Sequence, residues 1–474
     1  MRALLLYTVI LLTSALNAQT ISGIVTDEHK NPLPGCNVYL VGTYSGASTT
    51  ADGKFSFKAI IKDSAILKVE FLGFESFEKK ISASAKNFDF NIILKEAFNK
   101  LNMVTVTAGM YGTGDQVENI VMSSLDVVTT AGALGDITGA MQTLPGTSPN
   151  GNDGRLFVHG GSANETGTYI DGILVHQPYS SSAPNMAVRG RFNPFMFSGT
   201  AFSTGGYSAE YGQALSSVLV LNTNEMPEQE SANISLMTVG ADLAGTKMWK
   251  DGAITATANY MNLKPYMSLV PQNYDWNKEP EAYGLALNFR QKTAMKGLFK
   301  IYATADESNL SQQQTLLGES NFVQNINLTN KNRFINANWK GMPSANWIVK
   351  GGGSFTYNTN SYDLEHTLLT ETLIGSHLKV SATNEVNEKM HIRFGSEYFY
   401  KEFGESYLVK GFDADSSIAY SDNKIAAFAE AQLYTSTKFV INAGLRAEYS
   451  SYIGSANLAP RLSMAYKISK TEQV

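Results

Sequence analysis

From about residue 230 onward the chain alternates apolar and polar residues with a period of two, which limits its fold more than any other feature. Ile254, Ala256, Ala258 and Tyr260 alternate with Thr255, Thr257 and Asn259. Ile335, Ala337 and Trp339 alternate with Asn336, Asn338 and Lys340. Ile392, Phe394 and Tyr398 interleave with His391, Arg393, Gly395 and Glu397. The clearest run sets Phe439, Ile441, Ala443, Leu445, Ala447 and Tyr449 against Asn442, Gly444, Arg446 and Glu448. Successive side chains of a strand point to opposite faces, so each segment carries one apolar and one polar face. Soluble sandwiches share this pattern. A membrane barrel is favoured by strands of about 10 residues with aromatic residues at their ends. Trp249, Trp276, Trp339 and Trp347 all fall in this half, with Tyr260, Tyr357, Tyr400 and Tyr466 near expected strand ends.

The rest of the composition agrees with a mainly β chain. Charged residues make up 17% and Gly numbers 40, a balance that supplies many turns. A net charge of −5 provides no basic footprint for nucleic acid. Cys36 is the single cysteine, which excludes an intrachain disulfide and a cysteine-based metal cluster, and it reads as a small buried hydrophobe. At the start, Arg2 precedes the apolar run Ala3–Leu12 and the small-residue exit through Ala15 to Ala18. That is the layout of a secretory signal, too short to span a bilayer, with cleavage expected after Ala18. No later stretch approaches the apolar length of a membrane helix, so any membrane crossing must use strands.

Residues 19–96 read as a small all-β sandwich. Its expected strands are Ile21–Thr26, Asn37–Val41, Thr50–Phe57, Ala65–Leu72 and Phe88–Leu94, with Asp52-Gly53 as a hairpin-type turn. Gly23–Asp27, Pro32–Gly35, Asp52–Phe55 and Phe71–Phe74 resemble the carboxypeptidase-regulatory-like, transthyretin-like module, which recurs in many extracellular proteins.

Residues 109–226 carry the more specific resemblance. Leu144–Gly146, Arg155–Gly161, Thr168–Val175, Phe197–Thr200, Gly205–Gly212 and Leu215–Leu221 follow one another as the plug motifs of TonB-dependent outer-membrane receptors do. The residues that carry these motifs most clearly are Arg155, His159, Gly160, Gly161, Asp171, Gly172, Glu210, Tyr211 and Gly212. Taken alone, Asp171-Gly172 is a hairpin turn with no chemistry of its own. One departure stands out: many such receptors have Arg-Gly-Gly where this chain has His159-Gly160-Gly161. If that arginine helps lock plug to barrel through acidic partners, the lock here must differ or involve Arg155, Arg189 or Arg191.

The linker at 97–108 contains Leu101–Gly109, a β-branched run that composition alone would make an ordinary strand. In the resembled family the TonB box sits at this junction and binds TonB by adding a strand to its edge. The resemblance therefore maps a TonB box onto Met103, Val104, Thr105 and Val106.

The resemblance also orders the remaining segment, 227–474. Met342–Asn346 becomes a short periplasmic turn, and Leu263–Pro280 and Asp306–Lys331 become extracellular loops. About 11 strands are expected, half of the roughly 22 of a plugged transporter. Asn457–Ser463 resembles a mid-barrel strand, and the last residues, Glu472–Val474, lack a terminal aromatic. The expectation is a chain truncated at its C-terminal end.

An enzyme is not expected, because catalytic signatures are missing. The histidines, His29, His159, His176, His366, His377 and His391, form no His-Glu-x-x-His motif, and no nucleophile elbow or Walker A loop occurs. No cofactor is expected. The resemblance implies active uptake of a scarce, large solute from outside, a ferric siderophore or similar metal chelate. It names TonB with its ExbB–ExbD motor and outer-membrane lipid as partners, with the N-terminal domain in the periplasm of a Gram-negative cell. A SusC-like importer of glycans or peptides, with a SusD-like surface lipoprotein, is the alternative. From a different class, a secreted β-sandwich adhesin or accessory protein remains open.

Overall fold

The computed structural model describes residues 19–94 and 120–466, apart from short interruptions at 28–29, 42, 44, 60, 62–63, 72–76, 83–86, 134, 152, 182–187, 271–274, 316–322, 388, 412–413 and 437–438. The expected signal segment and Met103–Val106 lie outside the described residues. The chain divides into two compact units at Thr105/Val106.

The first unit holds β1 (Gln19–Thr26), β2 (Asn37–Leu40), β3 (Gly46–Ser48), β4 (Lys54–Ala59), β5 (Ser64–Glu70), β6 (Phe77–Ser82) and β7 (Asn87–Ile93). They form two sheets, β4-β1-β7 and β3-β2-β5-β6. Alternate residues of both sheets, among them Ile21, Val25, Val38, Leu40, Phe55, Leu67, Val69 and Ile92, fill the core between them. Cys36 is buried there, its thiol donating to the Leu33 carbonyl at 3.3 Å, and burial raises its pKa. Two expectations need correction. Asp52-Gly53 does not close a hairpin, because β3 and β4 belong to different sheets and the turn carries the chain between them. The strand β6 is not among those expected from the sequence, because Lys79 and Lys80 break its alternation at the sheet edge.

The second unit begins with a five-stranded sheet, β10-β9-β12-β11-β8 in spatial order. It comprises β8 (Ile120–Met122), helices α1 (Ser124–Thr129) and α2 (Ile137–Met141), then β9 (Thr166–Ile170), β10 (Ile173–Leu174), β11 (Phe197–Ser203) and β12 (Ser217–Thr223). Ser123 starts α1 with a capping box: its hydroxyl accepts from the Asp126 N–H, and its own N–H donates to the Asp126 carboxylate. The turn between β9 and β10 places Asp171 and Gly172 at φ of 49° and 84°, the type I′ signature.

Twelve antiparallel strands follow, each paired with its sequence neighbours. They are β13 (Ser231–Met237), β14 (Gly240–Trp249), β15 (Gly252–Asn262), β16 (Asp275–Thr293), β17 (Gly297–Thr315) and β18 (Val323–Ser344). The sheet continues through β19 (Trp347–Leu364), β20 (Thr367–Asn387), β21 (Met390–Val409), β22 (Ala414–Ser436), β23 (Phe439–Ser450) and β24 (Ser455–Tyr466). The short helix α3 (Lys264–Met267) lies between β15 and β16. The sequence suggested about 11 strands of about 10 residues, whereas β16 to β22 run from 18 to 23 residues. Much of the expected loop Asp306–Lys331 is strand in β17 and β18. Polar residues fill both faces there, which hides the period of two, while the ladder hydrogen bonds continue.

The polarity of the large sheet is inside-out. On one face stand exposed Leu285, Ile335, Phe355, Leu378, Val380, Phe394, Leu445, Leu458 and Leu462. On the other are buried Asn288, Arg290, Asn332, Asn336, His377, Lys379, Arg393, Glu397 and Arg446. A soluble sandwich buries its apolar face. Here the apolar face is outermost, and the polar face packs on the plug. Along β19 the outward residues from Trp347 to Tyr357 are apolar or glycine. At about 3.3 Å per residue and a tilt near 45°, that belt is about 25 Å tall, matching a bilayer. Trp249 and Phe289, Trp347 and Phe394, and Phe439 and Tyr466 pair along its lower rim. Trp276 departs from the expected girdle and packs instead with Leu310, Leu328 and Tyr362. No helix among the described residues is long and apolar enough to cross a membrane.

Candidate functional site: the plug–wall interface

The polar face of β16–β24 grips the five-stranded plug through side chains. Glu210, buried on the plug, meets Lys379 at 3.1 Å and Arg393 at 2.8 Å on the wall. Burial alone would raise the Glu210 pKa, but Lys379 and Arg393 overcome it and hold the carboxyl well below its usual range. Behind them, Glu397 bridges Lys379 at 3.3 Å, His377 at 3.2 Å and Arg446 at 2.5 Å. His377 accepts the Leu174 N–H on Nδ1 at 2.8 Å, so its Nε2 faces Glu397, and its ring stacks on Phe399. Glu430 accepts from the Ser208 hydroxyl and the Ala209 N–H, while Arg461 donates to the Ser208 carbonyl. With Arg446 of β23 donating to the Ala209 carbonyl, the segment Tyr207–Gly212 is held from five strands at once.

A second anchor is Asp171. Its carboxylate accepts from the Thr223 N–H and hydroxyl, from Asn338 at 3.2 Å and from Lys300 at 3.5 Å. Asn336 donates to the Ile170 carbonyl at 2.7 Å. The Asp171-Gly172 hairpin therefore presents a largely buried carboxylate acceptor to the wall. Aromatic contacts complete the seam: Phe192 of the plug meets Tyr302 and Phe334 of the wall at 6.2 and 5.9 Å.

The remaining motif residues are distributed as follows. Tyr211 packs edge-on to Tyr169 at 4.8 Å with the Lys379 ammonium 5.0 Å from its ring. Gly212 lies against the Arg446 guanidinium, where a Cβ would sit 2.3 Å from Nη2, and its carbonyl accepts the Tyr169 hydroxyl. His159 and Gly160 form a left-handed turn at φ of 51° and 79°, and Gly161 fits against Glu165 and Ser216. Arg155 does not lock plug to wall. It pairs with Asp153 at 2.6 Å within the plug. Arg191 does reach the wall, donating to Asn330 at 3.2 Å, and burial lowers its guanidinium pKa to about 10 against the opposing field of Asp306. Arg189 contributes its backbone to Ser180. In this interface Glu210 and Asp171 of the plug meet Lys379, Arg393 and Lys300 of the wall, while Glu430 of the wall holds Ser208 and Ala209 of the plug.

Beyond these contacts a cavity of about 550 Å³ opens between plug and wall on the side of the turns at 365–366 and 410–411. His176, Gln177, Tyr179 and Gln213 line it from the plug. Glu371, Phe399, Lys401, Phe403, Tyr420, Asp422 and Lys424 line it from the wall. Burial lowers the His176 pKa to about 4, and burial raises that of Tyr179 to about 12. Among the described residues no group of three or more histidine, cysteine or acidic side chains is arranged to hold a metal.

Three comparisons bear on this architecture. Residues 21–106 match the CarboxypepD_reg-like domain family. A TonB-dependent receptor SusC from Bacteroides thetaiotaomicron is 28% identical over 33% of this chain and 16% of its own length. TonB-dependent receptor P3 from Formosa agariphila is 26% identical over 31% of this chain and 15% of its own. The outer-membrane transporter YddB from Escherichia coli superposes with a TM-score of 0.55 at 12% identity, over 74% of this chain and 59% of that one. The ferric yersiniabactin uptake receptor FyuA from Yersinia pestis superposes with a TM-score of 0.52 at 10% identity, over 74% and 62%. The sequence matches thus span under a fifth of those relatives, and the structural ones about three-fifths. The chain carries a CarboxypepD_reg-like domain, has TonB-dependent receptors as sequence relatives, and takes the fold of the outer-membrane receptors.

Proposed function

We propose that the chain is the gate-bearing part of a TonB-dependent importer, in which a solute bound above the plug passes inward when the plug shifts. The observation that carries this reading is the plug seated on the polar face of a sheet whose other face is an apolar belt. Nothing else about a β protein requires that inversion. The domains follow as 19–96 for the periplasmic sandwich, 97–108 for the linker, 109–226 for the plug and 227–474 for the barrel wall.

In this reading Met103–Val106 pairs as a strand with TonB, whose ExbB–ExbD motor supplies the pull. The ion pairs of Glu210 and the bonds of Asp171 are what the pull must break. The cavity above the plug receives the solute, and a ferric siderophore or similar metal chelate is the first candidate. A SusC-like importer of glycans or peptides is the second reading, favoured by the similarity to SusC and by a cavity lined with aromatic rings and amides. A secreted adhesin is disfavoured by the exposed apolar face. Growth under iron starvation with and without the gene separates the first two: a chelate importer is required there, and a glycan importer is dispensable.

A further inference from the structure

The wall beneath the plug carries a row of cations. Arg290, Lys300, Lys340, Lys350, Lys379, Arg393, Arg446 and Arg461 lie on eight of the nine strands β16 to β24, all on the inward face. Each is within eight residues of the end of its strand that carries the short turns, with Lys379 of β20 (Thr367–Asn387) the farthest. The wall offers five carboxylates near this level, Asp306, Glu385, Glu397, Glu430 and Glu448. The balance comes from the plug, through Glu210, Asp171 and the field of Glu225 on Lys340.

Two further features show that this charge is not arranged for stability. Arg290 pairs directly with Lys300, and Lys340 with Lys350, across neighbouring strands. Like charges directly opposite each other destabilise a sheet. Several of the cations also reach plug carbonyls and not only carboxylates: Arg290 to Glu225, Lys300 to Thr223, Lys379 to Gly172, Arg446 to Ala209 and Arg461 to Ser208. A carbonyl satisfies the donor but leaves the charge in place, and water can replace it when the plug departs.

We infer that displacing the plug uncovers an electropositive ring in the lumen, which makes the opened path selective for anionic solutes. The inference rests on the importer reading above and narrows its solute to one bearing carboxylate, phosphate or other anionic groups. When the plug moves it takes Glu210, Asp171 and Glu225 with it, leaving the wall with eight cations against five carboxylates. A charged, low-dielectric passage concentrates counter-ions about 10-fold or more.

The test uses the native protein extracted from outer membranes and placed in a planar bilayer across a potassium chloride gradient. Urea is raised until the plug releases, and the reversal potential is read. The expected result is chloride passing about five-fold or more faster than potassium. The double variant K340Q/K350Q should lower that ratio toward about one while keeping its heat-modifiable mobility, since the two lysines stand directly opposite each other on β18 and β19 and the amides keep most of their size. A non-selective or cation-selective wild-type channel would overturn the inference while leaving the importer reading standing. Unchanged selectivity in the variant would overturn the assignment to the ring. No channel at any urea concentration would sink the importer reading and the inference with it.

Discussion

At the scale of single residues, the plug is held by charge that is almost wholly buried. Removing one partner of a buried pair strands the other, typically at about 3–5 kcal/mol. Glu210→Ala should therefore loosen the plug by several kcal/mol, with Glu210→Gln costing less, seen as faster hydrogen exchange in β9 and β12. An unchanged exchange rate would show that Lys379 and Arg393 find other partners. His176 offers a pH test. Its folded pKa is lowered to about 4, below the ordinary value of 6.5, because burial disfavours the charged ring. A base with a depressed folded pKa contributes stability that is present above 6.5 and lost as pH falls toward 4. Plug protection should fall across that window in the wild type and much less in His176→Gln. Equal pH dependence in both would remove His176 from the account.

At the scale of elements, the strands could be read from their alternation, and the plug motifs from their order. Ile254–Tyr260, Ile335–Lys340 and Phe439–Tyr449 lie in β15, β18 and β23, with Tyr260, Ile335, Leu445 and Tyr449 exposed as expected and Ile254, Trp339, Phe439 and Ile441 half-buried. What alternation could not reveal was where strands continue beyond the lipid, as in Asp306–Thr315, because polar residues on both faces look like loop. Nor could it pair Glu210 with Lys379 and Arg393, about 170 and 183 residues away, since register across many strands is a tertiary fact. The interior charges were visible as polar members of each alternation, yet only the fold brings them to the plug. A lipid-facing charge gives a direct test. Leu378→Arg in the middle of β20 should cost about 2–4 kcal/mol of barrel stability, whereas Arg at exposed Lys410, in the turn after β21, should cost little. The proposed TonB strand is tested by Val104→Pro, which removes a ladder N–H. Uptake should be lost while outer-membrane insertion is kept. Normal uptake would place the box elsewhere.

At the scale of the whole molecule, one principle organises the second unit: a sheet turned inside-out, apolar toward lipid and polar toward a folded insert. The sequence displayed the inversion as alternation but could not say which face was covered, since a soluble sandwich shows the same pattern with its apolar face hidden. The most direct test of the account is cysteine labelling at two adjacent positions of β18, Ile335→Cys and Asn336→Cys, in intact outer membranes. The background is low because Cys36 is the single cysteine and is buried. The account predicts that Cys at 335 reacts with a bilayer-dissolved maleimide and not with a water-soluble one. Cys at 336 should resist both while the plug is seated. Rapid labelling of position 335 by the water-soluble reagent, with position 336 equally open, would contradict a lipid-facing belt wrapped around a plug.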